Sequence, residues 1–194
     1  MDALALFMLR YDAIHGGFVD ELFSGLTDAR IRQRPHGLNS IAWLVWHVAR
    51  VEDAVVNRFV AGRPQVLDEG GWSRRLGVDR QDVGSGMTGE EVETLSARID
   101  GPALRGYQGA VAERTKEIAT SLPPAAWDEV IAPERVRRAV AEDGLLIEAG
   151  KWVEEFWAGE RARGWYLLQV GLLHPYGHWF DAMVTRGLLG VNGT

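Results

Sequence analysis

Two histidines four residues apart, His174 and His178, interrupt the otherwise apolar run Leu172-Leu173-His174-Pro175-Tyr176-Gly177-His178-Trp179-Phe180-Asp181. At 3.6 residues per turn they share one helix face, about 40° apart around the axis, and could share one ion. A third, His47, sits in another apolar helical pattern, Ser40-Ile41-Ala42-Trp43-Leu44-Val45-Trp46-His47-Val48-Ala49-Arg50-Val51-Glu52-Asp53. Buried polar groups are costly unless partnered, and one cation satisfies several imidazoles at once. We therefore expect His47, His174 and His178 to meet and hold a divalent metal with one position left open. Taken singly, each is as well explained as a core histidine bonded to a carbonyl, and the HxxxH spacing recurs by chance. Matching histidines on two helices make the stronger case.

Asp181 and Thr185 continue the stripe of His174 and His178 along the same face. Asp181 is placed to orient an imidazole or accept a proton. Gly171 and Gly177 leave room for a ligand or a neighbouring helix. Pro175 removes a helical hydrogen bond and presses on the carbonyl four residues earlier, that of Gly171, which predicts a kink without termination. His15 reads as a boundary histidine and His36 as a loop residue.

Four long amphipathic segments must position these groups. The first carries Leu4, Phe7, Met8, Tyr11, Ile14, Phe18 and Leu22, despite Gly16 and Gly17. Asn39 and Ser40 offer caps to the second, with its stripe at Ile41, Leu44, Val48, Val51, Val55 and Phe59, stopped by Gly62 and Pro64. Residues 63–87 form a long irregular connector, either a lid or a solvated linker with one short helix. Thr88-Gly89-Glu90-Glu91 is a capping box for a short helix. Pro102 opens the third long segment, ended by Leu122-Pro123-Pro124. Short helices from Pro133 to about Glu142 and from about Leu145 to Trp157 precede the fourth, which begins at Gly164. The pattern predicts an all-α four-helix bundle, one domain over residues 1–194.

Composition narrows the function. A net charge of −6 and the lack of a basic stripe with interleaved aromatics argue against nucleic acid as a partner. No stretch approaches the ~20 apolar residues of a membrane span, and the start lacks the basic region of a secretory signal, so the expected location is cytoplasmic. With no cysteine in the chain, thiol chemistry would have to come from a ligand. Tryptophans such as Trp127 and Trp157 mark either a homodimer interface or a well-filled core.

The His47 segment, the His174-Pro175-Tyr176-Gly177-His178 pair and the trailing Arg186-Gly187-Leu188-Leu189-Gly190 together resemble the DinB-like superfamily, in element order over nearly the whole chain. This group includes bacillithiol transferases and mycothiol-dependent maleylpyruvate isomerases. The resemblance implies zinc or nickel on His47, His174 and His178. Pro175, between the two late ligands, departs from the expected pattern. A divalent ion on three neutral imidazoles keeps most of its charge and lowers the pKa of a bound thiol. The function expected is metal-dependent activation of a low-molecular-weight thiol, for transfer to an electrophilic substrate or for a thiol-assisted isomerisation. In that scheme Asp181 is the catalytic or orienting carboxylate. Arg50 and Glu52 hold the thiol cofactor's polar tail or form a solvated pair. The alternatives are a hydrolase using metal-activated water, a metal or small-molecule binder without turnover, and a purely structural bundle.

Overall fold

The second long helix, residues 41–61, is the axis of the molecule, and the other three pack around it. They span residues 3–23, 101–121 and 163–188 of a computed structural model that describes residues 2–191. Each N-terminus among the first three is closed by a side chain that satisfies an orphan N–H of the first turn. The Asp2 carboxylate accepts from the Ala5 N–H at 2.8 Å, the Ser40 hydroxyl from Trp43 at 3.0 Å, and Asp100 from Ala103 at 2.8 Å. Gly62, at φ +68°, ends the second helix in the left-handed conformation. Three of the long helices widen locally into π turns, at Ala13–Gly17, Ala54–Ala61 and Gln169–Leu173.

The sequence pattern gives the second helix one apolar stripe, yet every residue of Ile41–Asp53 is buried. The cause is the irregular connector, which packs onto the outer face: Val66, Leu67, Trp72, Leu76, Val78 and Val83 are all buried. Among residues 63–87 it forms two short helices, Val66–Glu69 and Trp72–Leu76. A solvated linker with a single short helix is thus corrected, because these apolar side chains cover the helix that the sequence left half in water.

Arg50 and Asp53 are enclosed by that cover and satisfied by it. Arg50 donates to Asp53, to the Tyr107 hydroxyl and to the Gln81 carbonyl, at 3.3, 3.0 and 2.7 Å. Asp53 accepts from the Val66 and Leu67 N–H groups, 2.8 and 2.9 Å, which caps the short helix from a distance. The two terminal guanidinium nitrogens and both carboxylate oxygens are thus bonded, which offsets much of the desolvation cost of burying the pair.

The capping box at Thr88 forms as expected and opens Gly89–Arg98. Pro133–Asp143 is helical and ends on Gly144 at φ +60°. The stretch expected as one helix to Trp157 is instead a 3-10 turn, Glu148–Gly150, and a short helix, Trp152–Trp157. The Leu145 carbonyl accepts from the Val83 N–H at 3.0 Å, which ties this stretch sideways to the connector. Val130–Ile131 and Arg161–Ala162 pair as a two-residue antiparallel ladder before the fourth helix.

Candidate metal centre

Nitrogen atoms of His47, His174 and His178 all lie within 4.8 Å of one another. The Nε2 atoms of His47 and His174 are 3.2 Å apart. Two imidazoles each about 2.0–2.1 Å from one tetrahedral ion would stand about 3.3 Å apart, so this edge already fits a shared cation. The His178 ring is 5.0 Å from that of His47 and 4.6 Å from that of His174, centroid to centroid. Its side chain is partly exposed.

The protein fixes which nitrogen of His47 faces its neighbours. The Nδ1 atom lies 2.5 Å from the Val83 carbonyl; a carbonyl only accepts, so Nδ1 carries the hydrogen and Nε2 presents a lone pair. The ring also stacks on Trp43, centroids 4.8 Å apart. On His178, Nδ1 sits 3.3 Å from Asp181 Oδ2, which leaves its Nε2 as the acceptor nitrogen. Among the described residues, His174 Nδ1 is buried without a partner. Burial, with the neighbouring His178 second, pushes His47 down to about 3, and burial also holds His174 well below the usual imidazole range. His178 is lowered by burial too, against the opposing pull of Asp181. Three neutral rings at neutral pH are the protonation state that metal ligation needs.

Backbone fit explains why the Val83 carbonyl stays in place. A Cβ on Gly84 (φ +86°) would meet the buried Trp46 ring at 2.6 Å, and one on Gly86 (φ +84°) would meet the Ala149 carbonyl carbon at 2.6 Å. Both glycines thus combine a left-handed backbone with close approach. The connector, for which the sequence allows a lid or a solvated linker, therefore packs as a strap against His47.

Pro175 neither ends nor interrupts the fourth helix. The π turn Gln169–Leu173 runs directly into His174–Leu188, with Pro175 as the second residue of the α segment. Pro175 has no N–H to give the Gly171 carbonyl, four residues back. His15 supplies one: its Nε2 lies 2.9 Å from that oxygen, its Nδ1 is 3.4 Å from the Gln108 amide, and it stacks on Tyr11 at 4.0 Å. The close approach is possible because residue 171 is a glycine, whose Cβ would stand 3.3 Å from Phe7 and Tyr11. Gly177, by contrast, has open space around it. His15, read from sequence as a boundary residue, is thus the clamp on the turn that precedes His174.

The three histidines border a cavity of about 400 Å³ whose far wall includes Trp152, Phe156 and Trp157. Asp181 is not among the lining residues; its side chain is 67% exposed, so it orients the His178 ring from the solvent side. Arg50 and Glu52, expected at a cofactor's tail or in solvent, are in neither place. Glu52 accepts a short hydrogen bond from the Tyr11 hydroxyl and lies 3.6 Å from His15 Nε2, while Arg50 is held by Asp53 and Tyr107. Both are fully buried and absent from the cavity wall. From sequence, Trp152, Phe156 and Trp157 are expected to pack over the bundle's side; their place in the cavity wall and the Val83 carbonyl were missed. The Trp152/Phe156 spacing of four within a six-residue helix was the available signal for the wall; nothing marks a backbone carbonyl.

An all-α bundle of four long helices with a three-histidine group that could hold a metal ion is the class of protein that this fold and site define. The model of the DinB superfamily matches residues 18–149, more than half of the chain, and the protein belongs to that superfamily. The matched span includes His47 and stops before His174 and His178. A crystal structure of a conserved protein from Enterococcus faecalis superposes with a TM-score of 0.72 over 99% of each chain at 18% identity, a likeness of fold. Among curated proteins no sequence matches. Membership of the superfamily suggests a metal-binding protein. Among the described residues no helix is long and apolar enough to cross a membrane.

Proposed function

We propose that the protein is a metal-dependent enzyme that activates an exogenous low-molecular-weight thiol for attack on an electrophile. The observation that carries this is the donor set: three neutral imidazoles facing one cavity, in which no carboxylate takes part. A divalent ion such as zinc or nickel held by His47, His174 and His178 would supply positive charge that favours the deprotonated form of a thiol. The thiol gives up its proton to solvent and its sulfur lone pair forms a bond to the electrophilic carbon. The electrons of the broken bond leave with a halide, or with an epoxide oxygen that is then protonated by water. The Val83 carbonyl holds the His47 tautomer, Asp181 orients His178, and His15 steadies the turn before His174. The natural setting in this proposal is the cytoplasm, where small thiols are kept reduced.

Elemental analysis of the purified protein beside His47→Ala and His178→Ala tests the ligand set, with loss of metal expected in both variants. Thiol consumption in the presence of a haloalkyl or epoxide electrophile, with and without added zinc or nickel, tests the chemistry. Absence of thiol loss in every metallated form would overturn it.

A further inference from the structure

The cavity beside the histidines is closed on its far side by one short helix, Trp152–Trp157. Trp157 is buried at the base, Phe156 is 41% exposed, and Trp152 stands 71% exposed. Val51 and Val170, from the second and fourth long helices, complete an apolar surround. Apart from the histidines, the polar lining is Ser85 and Gln169, both uncharged; among the described residues no Lys, Arg, Asp or Glu borders the space. A large indole left in water at the mouth of a concave apolar site is surface of the kind that ligands cover. In the metal-free cavity a carboxylate or phosphate would lose its hydration and find no cationic side chain among the lining residues.

Resting on the reading of the histidines as a metal centre, we infer that this cavity receives an uncharged, flat apolar group, that of an aromatic electrophile. Trp152 is the specificity-determining residue that stacks on it. Any charged portion of the thiol stays outside the mouth. At about 400 Å³ the space suits a two-ring aromatic. Selectivity of the metal-free cavity follows from the wall: apolar contact favours the flat ring, and the lining offers no side-chain counter-charge to its acidic analogue.

The uncharged fluorescent dye N-phenyl-1-naphthylamine serves as the probe, titrated into wild-type, Trp152→Ala and Trp152→Phe protein, each with and without zinc. Saturable binding to the wild type is expected, weakened about five-fold by Trp152→Ala and restored in large part by Trp152→Phe. 1-Naphthalenemethanol should displace the dye and, in the zinc-free protein, 1-naphthoate should not. Equal dye affinity in wild type and Trp152→Ala, or displacement from the zinc-free protein by the acid as good as by the alcohol, would overturn the inference. Zinc content is measured on the same samples: a wild type that binds dye as expected yet takes up no zinc would sink the metal proposal alone. Trp152 is mostly exposed, so a thermal midpoint close to wild type is expected in both variants and checks that they fold.

Discussion

Acidifying the metal-free protein from pH 7 to pH 5 should cost roughly 2 kcal/mol of folding stability through His47 alone. The group is buried, and burial with the nearby His178 lowers its pKa from 6.5 to about 3. Between those two values the unfolded chain binds a proton that the folded chain refuses, so acid favours unfolding. The contribution is whole above about pH 6.5 and declines as the pH falls toward 3. At pH 5 the unfolded imidazole is almost fully protonated and the folded one almost fully neutral, a gap of about 1.5 pH units, or roughly 2 kcal/mol. His174 and His178 are displaced in the same direction and steepen the wild-type curve. Urea denaturation at pH 7, 6 and 5 in the presence of a chelator measures the slope, and His47→Gln isolates the share of one ring while keeping a donor for Val83. Identical slopes in wild type and His47→Gln would refute the assignment of His47 as a buried neutral base.

Two further outcomes follow from the supports of the site. Gly86→Ala places a methyl group against the Ala149–Gly150 backbone at a left-handed residue, and should destabilise by about 2 kcal/mol or more, read as a shift in the urea midpoint. His15→Ala leaves the Gly171 carbonyl without the donor observed at 2.9 Å, a loss of about 1–3 kcal/mol. It should also weaken zinc binding in a competition titration with a chromophoric chelator, although residue 15 is not one of the three proposed ligands.

The four helices and the convergence of His47 with His174 and His178 were legible because both depend on local periodicity and on few residue types. The surroundings were less so. Arg50 and Glu52 read from sequence as a solvated pair; only the fold reveals that Glu52 is enclosed beside Tyr11 and His15, and Arg50 beside the connector that buries Val66, Leu67, Trp72 and Val83. Those covering residues come from a connector with no helical or alternating pattern, so its packing is set by long-range contacts. Pro175 was legible as a disturbance and Gly171 as the residue affected, whereas the compensating donor came from His15, 156 positions away. The break of the stretch before Trp152 likewise depends on a backbone bond from Val83 to Leu145 that no side chain announces.

The exchange between Pro175, Gly171 and His15 links three positions into one inheritable unit. An ordinary amino acid at 175 would restore the main-chain donor and leave the imidazole at 15 redundant; a bulkier residue at 171 would push the first helix away and take that imidazole out of range. In homologous chains the three sites should therefore be lost or retained together, and a designer grafting the late histidine pair onto another bundle would need to carry the distant partner with it.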